Sequence, residues 1–155
     1  MNTAEQILKL EANARKNGTG IKQSDLIGRW FLDQVWSKAN VNPSILSAYL
    51  LKAFSARLEL FSDGNQFLIY NIVSFGSFEL KFSGAAFLQG KRPLLVFSFN
   101  ALVISVGKLT LFKRSLIEPN ACNKPFFALI SCDRSGFLVA RGRGGGLAQW
   151  RLVND

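Results

Sequence analysis

Residues 58–73, LELFSDGNQFLIYNIV, decide the class of this fold. Ser62-Asp63-Gly64-Asn65 separates two runs rich in apolar, β-branched and aromatic residues, and an Asp-Gly pair in that position is the strongest local signal for a β-hairpin. The turn predicts antiparallel strands on both sides, with Leu58 and Leu60 on the incoming arm and Phe67–Val73 on the outgoing one. Downstream, Ser74-Phe75-Gly76-Ser77 predicts a second hairpin, after which Phe78, Leu80 and Phe82 alternate against Glu79, Lys81 and Ser83.

The same punctuation runs to the end of the chain. Strands are expected at 85–88, 94–99, 102–106, 108–112, 126–132, 137–141 and 147–153. They are separated by Gly90–Pro93, Gly107, Pro119-Asn120, Asn123–Pro125, Asp133–Gly136 and Gly142–Gly146. Short strands at this spacing indicate an antiparallel sandwich or barrel, and closure into a barrel leaves no unpaired edge.

Upstream, Gly28–Trp36 alternates so that Trp30, Leu32, Gln34 and Trp36 would share one face. Residues 44–54, SILSAYLLKAF, are too densely apolar to alternate and follow Asn42-Pro43, which predicts a short helix after the first strand. Over residues 3–16, Ile7, Leu8 and Leu10 stand among good helix formers. Thr3 and Gln6 are at capping-box spacing, and Gly18 lies just past the end, so an N-terminal helix is expected. The expected organisation is a helix and lead-in over 1–25 and one β-barrel over 26–155.

Composition narrows the chemistry. The chain has 155 residues, 48% hydrophobic, with 14 Phe, so a substantial core can form and aromatic side chains are available to wall a cavity. There is no histidine, which removes a Ser-His-Asp triad, a Cys-His pair and the commonest metal ligand; no catalytic residue, metal site or cofactor is expected. Cys122 and Cys132 match no metal-ligand spacing and read as reduced structural thiols. No apolar run reaches the ~20 residues of a membrane-spanning helix, and the N-terminus lacks a signal-peptide pattern. The expectation is therefore a protein that is not secreted. A net charge of +9 favours anionic partners, either membrane headgroups or nucleic acid.

Arg141-Gly142-Arg143-Gly144-Gly145-Gly146 looks like a phosphate loop, but no Lys-Ser/Thr follows and strand-like residues flank it on both sides, so the glycines read as a hairpin turn. Arg141 and Arg143 then become candidates for holding an anionic headgroup at a barrel mouth. An alternative assigns these arginines and exposed aromatics to single-stranded nucleic acid.

Gly28-Arg29-Trp30 opens the first strand after a helical stretch, and Trp150-Arg151 closes the last. This arrangement resembles the calycin superfamily of lipocalins and fatty-acid-binding proteins, and implies that Trp30 plugs one barrel end beside Gly28 with Arg151 packed across it by cation–π attraction. The opening Leu26-Ile27-Gly28-Arg29-Trp30, the central Gly90–Phe99 and the closing Gly136–Arg151 are similar to the plastid lipid-associated (fibrillin) proteins and their cyanobacterial relatives. The resemblance implies a non-enzymatic barrel that binds a lipid, quinone, carotenoid or other pigment, or acts as a bilin chaperone, in the cytoplasm or peripherally on the thylakoid membrane. Trp30, Trp36, Phe67, Phe78, Phe82, Phe97 and Phe99 are the candidate walls of its cavity.

Overall fold

The computed structural model describes residues 2–37 and 55–154. Helix α1 (Ala4–Asn17) and a single turn α2 (Gln23–Leu26) precede nine strands. These are β1 (Gly28–Trp36), β2 (Ser55–Asp63), β3 (Gln66–Phe75), β4 (Phe78–Gln89), β5 (Leu94–Val106), β6 (Leu109–Ser115), β7 (Phe126–Cys132), β8 (Phe137–Gly142) and β9 (Leu147–Val153). The helix expected over 44–54 lies outside the described residues.

The capping box forms as the sequence predicts. Thr3 Oγ1 accepts from the Gln6 N–H at 3.3 Å, and Gln6 Oε1 accepts from the Thr3 N–H at 2.9 Å. The helix stops at Gly18, whose φ of +76° and close approach to the turn after β4 both exclude a side chain; a Cβ there would stand 2.7 Å from the Lys91 carbonyl oxygen. The turn α2 was not anticipated, and Asp25 Oδ2 accepting from the Lys22 N–H at 2.8 Å is what closes it.

The decisive hairpin pairs Asp63 with Gln66, leaving Gly64-Asn65 as a two-residue loop with Gly64 at φ +59°. All pairings are antiparallel. The sheet order is β4-β3-β2-β1-β9-β8-β7-β5-β6, and a further β4–β5 pairing joins the list to itself. Eight strands thus follow one another around a ring, and β6 hangs on β5 alone. Strand β5 serves two neighbours along one edge: Leu94–Val96 pair with β7, while Ala101–Val106 pair with β6.

Two pairs of expected strands are single long ones. Residues 78–82 and 85–88 belong to β4, and 94–99 and 102–106 belong to β5. In β5 the inward positions are odd at Leu95, Phe97 and Phe99 but even at Leu102, Ile104 and Val106. A bulge at Asn100, opposite Ser83/Gly84, absorbs the change of phase. Only glycine fits at 84, since a Cβ would lie 1.8 Å from the Ser98 carbonyl oxygen.

The interior of the ring is packed by Leu26, Trp30, Leu58, Leu60, Phe67, Ile69, Leu95, Phe97, Leu129, Leu138 and Trp150 among others. A second cluster of Ala4, Ile7, Trp36, Ile130, Val139 and Leu147 lies on the outer face, where α1 packs against β7–β9. This corrects the placement of Trp36. Its alternation with Trp30 is broken at Asp33, which the β1–β9 register skips, so Leu32 meets inward Trp150 while Trp36 meets outward Leu147.

Candidate functional site: an apolar inner face

Residues directly opposite in adjacent strands share a face. The registers therefore set Asn71, Phe82, Leu102 and Arg114 side by side, then Val73, Leu80, Ile104 and Phe112, and at the tips Phe75, Phe78, Val106 and Leu109. Phe82 meets Phe99 on this face with ring centroids 5.4 Å apart. The contacts continue inward from Phe99 to Phe97 at 5.3 Å, Phe97 to Phe127 at 5.2 Å, and Phe127 to Trp150 at 5.2 Å. Five aromatic side chains form one file from the half-buried outer part of the face into the packed interior.

Phe127, between Phe97 and Trp150 in the file, is half-buried. Trp150 and Phe97 are 7% exposed, Phe82, Phe99, Leu80, Leu102 and Ile104 are half-buried, and Phe78 at the tip is 42% exposed. The inner face thus passes from a filled core to a half-buried apolar stretch, called the trough below. A separate cleft of about 510 Å³ opens on the flank beside Gly84, lined by Phe67, Tyr70, Ser83, Ala86 and Asn100 among others.

Of the candidate wall residues, Phe78, Phe82, Phe97 and Phe99 are brought together on this face. Phe67 and Trp30 are core residues. Trp36 is on the outer face under α1. Sequence reasoning missed Leu80, Leu102, Ile104, Phe127 and Trp150, although the parity change within β5 was a visible signal for the middle two.

Arg141 is not a rim residue, and its assignment to an anionic headgroup is overturned by a carboxylate partner of its own, whereas Arg143 stands exposed in the β8–β9 turn. Arg141 lies on the outer face with Val139, following the uninterrupted alternation of β8. It donates from Nε to Glu11 Oε1 and from Nη2 to Glu11 Oε2, both at 2.6 Å, and from Nη1 to the Gly145 carbonyl at 2.6 Å. Arg143 donates to the carbonyls of Asn123 at 2.7 Å and Cys122 at 3.4 Å, fastening the segment ahead of β7. Glu11 also receives Arg92 at 2.8 Å and Arg15 at 3.2 Å, with its own side chain 5% exposed. Hydrogen bonding from Arg141, opposed by burial and reinforced by the charges of Arg141 and Arg15, lowers the Glu11 carboxyl to about 2. Arg141 is raised in turn, chiefly by its bond to Glu11. The cluster's visible work is to clamp α1 to the ring.

At the opposite end, Trp30 Nε1 donates to the Leu26 carbonyl at 2.8 Å, which satisfies the one polar atom of a 1% exposed indole. Arg151 does not pack across it. Strand β9 alternates without a bulge, so Trp150 and Leu152 point inward and Arg151 is exposed on the outside. Leu152 pairs with Trp30 instead, and a Cβ on Gly28 would meet its Cδ1 at 2.5 Å. Cys132 is held as a thiol, pushed up to about 11 by burial and then by the carboxylates of Asp25 and Asp133. No helix among the described residues is long and apolar enough to cross a membrane.

No family model and no curated protein matches the chain. Among solved structures it is similar to the "REP1-NXSQ fatty acid transporter" at 13% identity and a TM-score of 0.38, over 85% of this chain and 98% of that one.

Proposed function

We propose that this chain is a non-enzymatic, calycin-like barrel that carries one hydrophobic or amphipathic small molecule, such as a lipid, quinone, carotenoid or other pigment. The observation that carries the reading is the aromatic file from Phe82 to Trp150, which continues the packed interior into a half-buried apolar trough. Apolar surface left accessible on this inner face is stabilised by an apolar ligand at roughly 25 cal/mol per Å² removed from water. Directional chemistry is sparse on that face, where Asn71 and Arg114 are the polar members of the rows described above. Such a site selects shape and apolar bulk, with one end of the ligand left to a polar group. The inward aim of Phe82, Phe97 and Phe99 also leaves them unsuited to stacking on nucleic-acid bases. In this reading the carrier exchanges its ligand with a thylakoid membrane.

Titration of delipidated protein with a fluorescent polyene fatty acid tests the reading. Saturable binding with one site per chain and quenching of Trp150 by energy transfer is expected, and Phe82→Ala weakens binding about tenfold. Absence of saturable binding for polyene fatty acid, quinone and carotenoid alike overturns it.

A further inference from the structure

Four apolar side chains stand in one row at the tips of two neighbouring hairpins. Phe75 pairs with Phe78 across the β3–β4 turn, Phe78 with Val106 across the β4–β5 ladder, and Val106 with Leu109 across the β5–β6 turn. Their exposures are 57%, 42%, 39% and 65%. The turns are tied together, since the Gly107 N–H donates to the Ser77 carbonyl at 2.8 Å. Beyond Leu109, strand β6 is exposed at every position, with Leu111 at 57% and Phe112 at 47%. Charge is distributed unevenly around this patch. From Lys108 to Ile117 the chain carries Lys108, Lys113 and Arg114 and no carboxylate. In the adjoining β3–β4 hairpin, Glu79 is paired with Arg57 at 3.4 Å.

We infer that the linked tips of the β3–β4 and β5–β6 hairpins are a membrane-docking element, which inserts Phe78, Val106 and Leu109 at the surface of an anionic bilayer while Lys108 meets the headgroups at the tip and Lys113 adds attraction from farther along β6. The inference deepens the carrier reading and rests on it for its purpose, because the docked tips form the outer rim of the trough and would open it toward the lipid. A bilayer fits better than a protein partner. The apolar groups crown the ends of hairpins instead of covering a flat face, and the charged residues from Lys108 to Ile117 are all positive, which complements a uniformly anionic plane. Each cation brought to such a surface multiplies partitioning roughly fivefold.

Flotation of the full chain with vesicles of 30% phosphatidylglycerol in phosphatidylcholine tests this. Binding is expected to these vesicles, to fall at least tenfold at high salt, and to fall at least tenfold on vesicles of phosphatidylcholine alone. Leu109→Asp, at an exposed tip, should lower partitioning tenfold or more with the melting temperature unchanged. Lys108→Glu with Lys113→Glu should do so with steeper loss in low salt. Equal flotation of wild type and Leu109→Asp overturns the inference, as does a concentration-dependent dimer of the wild type that Leu109→Asp dissolves, since a second copy would then be the occupant. Fatty-acid titration of the same proteins without vesicles keeps the two readings apart: lost ligand binding with intact docking removes the carrier, and lost docking with intact ligand binding removes the element proposed here.

Discussion

The two ends of the β4–β5 ladder are built from the same alternation and meet opposite fates. Near Gly84–Leu88, the inward residues Ala86, Leu95 and Phe97 face Leu58, Leu129, Leu138 and Trp150 across the ring and are buried. Near Phe78–Phe82, the inward residues are half-buried or exposed, although they are as apolar. The difference lies in what stands beside β5: β7 continues the ring at Leu94–Val96, whereas β6, exposed throughout, is the neighbour beyond Ala101. An apolar face becomes core only where topology supplies an opposing wall, so apolarity by itself cannot separate a core from a binding face.

Substitutions sharpen this contrast. The largest effect is expected for Trp30→Ala in the filled end, a loss of about 4 kcal/mol in urea unfolding, because a buried indole leaves a cavity that surrounding strands cannot close. Gly84→Ala should cost about 3 kcal/mol, since the added methyl meets backbone and not a flexible side chain. If Gly84→Ala were neutral, the bulge at Asn100 would not be the joint between the two ends.

Glu11→Gln should cost about 2–3 kcal/mol, less than a fully buried pair because Arg92 and Arg141 are about a fifth exposed. The pH dependence has a definite sign. The folded Glu11 carboxyl lies at about 2, below its ordinary 4.5, so its contribution is present above about 4.5 and is lost as pH falls toward 2. The protection of α1 amides relative to their intrinsic exchange rates should fall across that window in wild type and change less there in Glu11→Gln. In the half-buried end, Phe82→Ala should cost only about 1–2 kcal/mol while weakening ligand binding tenfold. A larger loss of stability would make the trough an ordinary part of the core.

Much of the architecture was legible because its signals are local. Asp63-Gly64, Gly76, Gly107 and the Thr3–Gln6 capping box act within four residues of themselves, and each sets an element boundary. Trp30 was read as an interior residue at one end of the ring from its place after Gly28. What escaped were features fixed by residues far apart in the chain. Nothing near Asp33 announces that β1 will skip a position against β9 and turn Trp36 outward. Nothing near Arg141 announces Glu11, its carboxylate partner 130 residues earlier, so an arginine serving a helix clamp looked like a headgroup ligand. The Arg151 placement could have been avoided from alternation alone, because Trp150 and Arg151 cannot both face inward in an unbulged strand.

The ring closes through β1 and β9, which lie far apart in the sequence. At a synthesis rate of ~5–20 residues per second, β1 has waited several seconds for its second neighbour by the time Leu147–Val153 emerges. Until then, the edges of β1 and β8 are unpaired, and Trp30 lacks Leu152. The chain therefore passes through an aggregation-exposed state before β9 emerges, and deleting Leu147–Val153 should be harsher on recovery of soluble protein than removing α1.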